Sequence, residues 1–96
     1  MVMTTKKRTV IRTNRVTLKD ENGKTRVQLS VHKAGPFLSL YGENGKPRVW
    51  LGVYRNEPGL YLYDTNGKVR VRLTTNKDGA GLVLKDADGK VIWKTP

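Results

Sequence analysis

Apolar and polar residues alternate with a period of two through most of this chain, as in Leu60-Tyr61-Leu62-Tyr63 and Val69-Arg70-Val71-Arg72-Leu73. Such alternation puts every second side chain on one face of an extended strand, and no window carries the 3.6-residue period of a helix. The runs are separated by Asn22-Gly23-Lys24, Asn44-Gly45-Lys46, Asn66-Gly67-Lys68 and Asp88-Gly89-Lys90, which recur every 22 residues without insertion or deletion. A fixed period of that size marks a repeat architecture. The flanks keep the register: Val16, Leu38, Leu60 and Leu82 correspond, as do Leu18, Leu40, Leu62 and Leu84, and Val27, Val49, Val71 and Trp93. Arg26, Arg48 and Arg70 form a further column.

Asn-Gly and Asp-Gly between alternating runs predict hairpins with type I′ turns, because both residues tolerate positive φ. A second, looser and longer turn is expected around Ala34-Gly35-Pro36, Asn56-Glu57-Pro58-Gly59 and Asp78-Gly79-Ala80-Gly81. Each unit is then two strands and two turns. The expected fold is all-β, an antiparallel up-and-down meander of about eight strands built from four 22-residue repeats. A β-solenoid with one unit per coil would show the same period. Hairpin turns reverse the chain and favour the meander. Residues 1–8 read as a basic N-terminal tail and residues 9–96 as a single β-repeat domain, with no linker or second domain.

Strand parity places the aliphatic columns, together with Leu29, Val31, Leu51, Val53, Val69, Leu73 and Val91, on one face. A monomer rarely exposes an apolar patch of more than a few hundred Å². No helix is available to cover this one, so the sheet is expected either to close into a barrel or to bury its face against another copy or a protein partner. The opposite parity carries Arg26, Phe37, Tyr41, Arg48, Trp50, Tyr54, Tyr61, Tyr63, Arg70, Arg72, Lys85 and Lys94. Exposed aromatics interleaved with Arg and Lys are how sheet surfaces hold single-stranded nucleic acid, the rings stacking on bases and the cations meeting phosphates. Arg48, Trp50, Tyr54, Tyr61, Tyr63, Arg70 and Arg72 are the candidate binding residues. The same residue types also suit a solvated sheet face with no ligand, and aromatic faces stack on sugars as well.

Charge adds to this picture. With 19 Lys+Arg against 8 Asp+Glu the chain carries a formal +11 over 96 residues, which favours polyanionic partners such as nucleic acid or an anionic surface whatever the fold. There is no Cys, which excludes disulfides, thiolate metal sites and a cysteine nucleophile. The apolar runs are too short for a membrane span, and the first residues lead into no apolar signal region. Nothing marks a compartment.

Catalytic chemistry has no obvious home. All eight acids, Asp20, Glu21, Glu43, Glu57, Asp64, Asp78, Asp86 and Asp88, sit in or beside expected turns, whereas a general acid–base pair needs groups converging in a sheltered cleft. His32, the single histidine, stands beside Lys33 at a strand end and reads as a surface residue. Asp64-Thr65-Asn66-Gly67 and its counterparts resemble the opening of a Ca²⁺ loop, but the later ligands and the bidentate glutamate are missing. The expectation is a protein without catalytic activity, cofactor or metal.

The unit Leu60-Tyr61-Leu62-Tyr63-Asp64-Thr65-Asn66-Gly67-Lys68-Val69-Arg70-Val71-Arg72-Leu73 resembles a bacterial family of hypothetical proteins built from tandem 22-residue β-hairpin repeats of the form Leu-x-Leu-x-Asp-x-x-Gly-Lys-x-Arg-x-x-Leu. The likeness runs from about residue 9 to residue 96 and brings no settled activity or ligand. In the second unit Gly42 stands where the repeat has Asp. The sequence thus leads to a structural or interaction module that self-associates or docks through its sheet surface. A basic nucleic-acid binder and a carbohydrate or anionic-surface binder stand as alternatives.

Overall fold

The computed structural model describes residues 9–95, so the basic tail assigned to residues 1–8 lies outside the described residues. Eight strands follow one another: β1 Arg15–Lys19, β2 Thr25–His32, β3 Gly35–Tyr41, β4 Pro47–Tyr54, β5 Glu57–Tyr63, β6 Val69–Asn76, β7 Gly79–Lys85 and β8 Val91–Lys94. They form one antiparallel meander in the order β1-β2-β3-β4-β5-β6-β7-β8. Every pairing joins consecutive strands in opposite directions, which excludes the solenoid. The barrel is not formed either, since the order is linear and no pairing returns β8 to β1. The open sheet has a radius of gyration of 17.6 Å, against about 12–13 Å for a compact domain of this length.

The ladders keep the two faces apart across the whole sheet. One aliphatic row runs Val16–Leu29–Leu38–Leu51–Leu60–Leu73–Leu82, and a second runs Leu18–Val27–Leu40–Val49–Leu62–Val71–Leu84–Trp93. Bulges interrupt the ladder at Leu18/Lys19, Leu40/Tyr41, Leu62/Tyr63 and Leu84/Lys85. There Tyr63 opposes Val69 and Lys85 opposes Val91, so these two valines lie outside the aliphatic rows to which simple alternation assigned them. Bulges of this kind place two residues against one and bend the strand.

The two kinds of turn have the opposite lengths from those expected. The Asx-Gly connections are the longer ones, five residues between β1 and β2. Gly23 takes φ +79° while Asn22 stays at negative φ, and the Gly23 amide donates to the Asp20 carbonyl at 3.0 Å. This is a type I turn closed by a glycine in the left-handed region, the geometry that leads into a bulge, rather than type I′. Asp20 braces it, its Oδ1 accepting from the amides of Asn22 at 2.9 Å and Lys24 at 3.0 Å. Asp64 and Asp86 repeat the arrangement. The other connections are two-residue hairpins, as the pairs His32↔Gly35, Tyr54↔Glu57 and Asn76↔Gly79 show. Only Arg55-Asn56 adopts positive φ at both central positions, 49° and 69°, and Glu57 opens β5 rather than remaining in a turn.

Among the described residues no apolar side chain is buried. Leu29, Leu51 and Leu73 remain 50%, 49% and 41% exposed, although each has an aliphatic neighbour across the ladder. One layer cannot do better: cross-strand contact covers the sides of a leucine, but its end is covered only by a second layer. No helix long and apolar enough to cross a membrane is present among the described residues.

Candidate binding face

The buried positions among the described residues are all on the other face, and all are small: Ser30, Ser39, Gly52 and Gly59. Gly52 on β4 pairs with Gly59 on β5, and the pair makes a notch that aromatic rings occupy. A methyl group on Gly52 would fall 2.7 Å from Cβ of Phe37 and 2.7 Å from two atoms of the Trp50 six-membered ring. One on Gly59 would meet Tyr61 at 3.3 Å and Trp50 at 3.7 Å. The indole therefore lies across the notch, against backbone that only glycine leaves open.

Around this floor the aromatics form a connected patch. Phe37 and Trp50 are 6.1 Å apart with planes inclined by 20°, Trp50 and Tyr61 meet edge to face at 5.6 Å and 79°, and Tyr61 and Tyr63 lie 6.5 Å apart at 21°. Such pairs stabilise a sheet face by about 0.5–1.5 kcal/mol each beyond their buried area. The steep angle between Trp50 and Tyr61 gives a floor and a wall. An open depression of about 570 Å³ lies here, lined by Trp50, Tyr61, Tyr63, Arg72 and Gly59 together with Tyr54, Arg55, Glu57, Pro58, Thr74, Thr75 and Asn76. Arg55 stands over the Tyr54 ring at 5.4 Å. Partial burial, with a smaller effect from Tyr61, raises the Tyr63 hydroxyl above its ordinary pKa, so it stays protonated and able to donate.

The arginine column has a regular structural task. Nε of Arg26 donates to the Tyr41 carbonyl at 3.1 Å, Arg48 to the Tyr63 carbonyl at 3.1 Å and Arg70 to the Lys85 carbonyl at 2.7 Å, each reaching the next hairpin. Two of the three also meet the aspartate of their own turn, Arg26 with Asp20 at 3.5 Å and Arg70 with Asp64 at 3.7 Å. Arg48 has no such partner among the described residues, because the corresponding position is Gly42. Asn44 takes over part of the missing role, its Oδ1 accepting from the Lys46 amide at 3.0 Å. The Asp20 and Asp64 carboxyls are held below the ordinary carboxylate range, first by the amides of Lys24 and Lys68 respectively.

Of the candidate residues, Trp50, Tyr54, Tyr61, Tyr63 and Arg72 share the depression, while Arg48 and Arg70 lie in the neighbouring row with Tyr63. Sequence reasoning missed the Gly52–Gly59 notch; its signal was two glycines inside alternating strand runs, where each breaks an otherwise regular pattern. His32 has an ordinary local role, its Nδ1 accepting from the Ala34 amide at 3.3 Å.

No protein-family model matches the chain, and no curated protein matches it. Its fold is similar to part of the S. aureus TarM G117R mutant, whose crystal structure is a complex with fondaparinux, alpha-GlcNAc-glycerol and UDP. The superposition has a TM-score of 0.55 at 10% identity and covers 84% of this chain but 19% of TarM. At that identity the likeness is one of fold.

Proposed function

We propose that this chain is a non-catalytic assembly module in which two copies bury their aliphatic faces against each other. One observation carries the reading: an eight-stranded sheet with two full aliphatic rows has no buried apolar side chain among its described residues. Seven strand spacings of about 4.8 Å and a ladder about six residues long give a face of roughly 34 × 20 Å. That is about 700 Å² per copy and about 1,400 Å² in total, within the range of roughly 1,200–2,000 Å² of stable specific interfaces. A second copy suits this face because a two-fold axis pairs each row with an equally aliphatic one, and because, among the described residues, neither aliphatic row contains a charged side chain. The placement of seven of the eight acids in the turns between strands, and of His32 in a local hydrogen bond, supports the non-catalytic part.

The test is the mass of nuclease-treated protein in solution by light scattering, at low and high salt. A multiple of 10.8 kDa that resists salt is expected, since apolar contact is insensitive to screening. A folded species of one-copy mass at every concentration would overturn the proposal.

A further inference from the structure

We infer that the aromatic depression is a binding site for single-stranded nucleic acid, with a base stacked on the Trp50 floor against the Tyr61 wall and phosphates drawn to Arg48 and Arg72. The inference rests on the face opposite the proposed interface and stands or falls independently of it.

Three observations combine. The first is geometric. The indole is spread over the Gly52–Gly59 notch, and Tyr61 stands at 79° beside it. A flat ring can rest on one and abut the other. Such a corner admits an unpaired base, whereas the bases of a duplex present only their edges. The second is electrostatic. Arg26 and Arg70 are each neutralised by the aspartate of their own turn, while Arg48, in the unit that carries Trp50, has no carboxylate within ion-pair distance among the described residues. Arg72 pairs across the ladder with Tyr61, is exposed and likewise has no carboxylate partner there. Glu57 is the one carboxylate in the lining among the described residues, and it is exposed. The third is continuation: the row that holds Trp50, Tyr61 and Arg72 runs on through Val83 to Lys94, and the neighbouring row leads from Arg48 past the ion-paired Arg70 to Lys85. The cations thus extend from the aromatic patch toward β8, as a track for a charged backbone would. A neutral sugar would gain nothing from such a track.

The experiment uses the full chain with Trp93→Phe, which leaves Trp50 as the only tryptophan. The probe is oligothymidylate of about 12 nucleotides, within the roughly 4–16 nucleotides that comparable sheet surfaces cover. Competitors are the corresponding duplex, inorganic polyphosphate and an acidic oligosaccharide. Quenching of Trp50 fluorescence by oligothymidylate is expected, with log affinity falling linearly against log salt by about 0.7 per phosphate contact. Tyr61→Ala should weaken binding about 5- to 150-fold, the range for losing one stacked base.

The decisive variant is Gly42→Asp. It restores the residue that the other units carry, so the fold is retained while Arg48 gains the ion pair that Arg26 and Arg70 already have. The salt slope should drop by about 0.7 and the affinity with it. Five results would overturn the inference. These are equal binding of duplex and single strand, polyphosphate competing as well as oligothymidylate without quenching, acidic oligosaccharide quenching where oligothymidylate does not, an unchanged affinity and salt slope in Gly42→Asp, and no binding of any probe by protein that retains its sheet circular dichroism.

Discussion

Replacing Leu51 with lysine separates the stability of one sheet from the pairing of two. Leu51 lies on β4, one of the two central strands, so any pairing that covers the aliphatic face covers it. It is 49% exposed in the single chain. About half of the roughly 1.5–3 kcal/mol available from burying a leucine is therefore gained within the sheet, and about 1 kcal/mol per copy remains to be gained on pairing. Lysine can lay its stem along Leu38 and Leu60, the ladder neighbours, and keep its ammonium in water. The unpaired sheet then loses no more than about 1.5 kcal/mol.

The paired state fares differently. Each copy brings one ammonium into the interface, and taking an ion out of water costs several kcal/mol after relaxation. Two such charges amount to at least about 4 kcal/mol, which is a dissociation constant raised about a thousandfold or more. Sedimentation over a wide concentration range gives that constant, and far-ultraviolet circular dichroism reports whether the sheet survives. Leu51→Met keeps volume and polarity and should leave association within about tenfold of the parent. If the lysine and methionine variants associate equally, the aliphatic face is not the interface and the proposed assembly is wrong.

Gly52→Val should lower stability by about 1–3 kcal/mol in urea unfolding, because its side chain would begin 2.7 Å from Phe37 and the Trp50 ring; an unchanged midpoint would mean that the indole does not lie on Gly52. Gly67→Ala, at φ +85°, should cost about 1–2 kcal/mol, and a neutral result would contradict the left-handed conformation assigned to the turn. The lowered pKa of Asp20 and Asp64 makes their contribution complete above the ordinary carboxylate range near pH 4, and it is lost as pH falls through their depressed values. Asp20→Asn with Asp64→Asn keeps an oxygen acceptor for the turn amides but removes the charge. Stability of that variant should depend less on pH in acid, and an undiminished dependence would place the titrating groups elsewhere.

The sheet was legible in the sequence because its two determinants are both local. Period-two alternation gives the face of each residue up to the bulges, which displaced Val69 and Val91, and an uninterrupted 22-residue period carries that assignment through all four units. Closure was not legible: whether β8 returns to β1 depends on twist and curvature summed over eight strands, and no single residue encodes that. The turns were misread for a related reason. Asn-Gly suits type I′ and type I plus bulge equally well, and the turn with Gly42 in place of aspartate keeps the same closing hydrogen bonds, so the aspartate that caps two amides elsewhere braces the turn without choosing its type. At the site, the aromatic and arginine residues were visible as columns. Their arrangement was not, because the floor depends on what Gly52 and Gly59 lack.

Gly42 shows how a fold can release one charged group without losing shape. The backbone of its turn is that of the other units: the Gly45 amide donates to the Gly42 carbonyl at 3.1 Å and the Gly42 amide to the Lys46 carbonyl at 3.0 Å. What is missing is the carboxylate that in the first and third units binds two amides and an arginine. Asn44 recovers only the Lys46 amide. Restoring aspartate should therefore stabilise the sheet, by about 0.5–1.5 kcal/mol for a recovered turn hydrogen bond and by about 0.4–1 kcal/mol for the narrower unfolded ensemble once glycine is gone. The new Cβ would meet Cγ of Arg48 at 3.2 Å, a contact with a flexible side chain that can yield. The same substitution pairs Arg48 and should weaken binding to single strands, so stability and affinity move in opposite directions from one change. A residue serving only the fold would move both together or leave binding untouched. A Gly42→Asp variant that unfolds at higher urea and binds oligothymidylate as well as its parent would show that the uncompensated arginine has no part in the site.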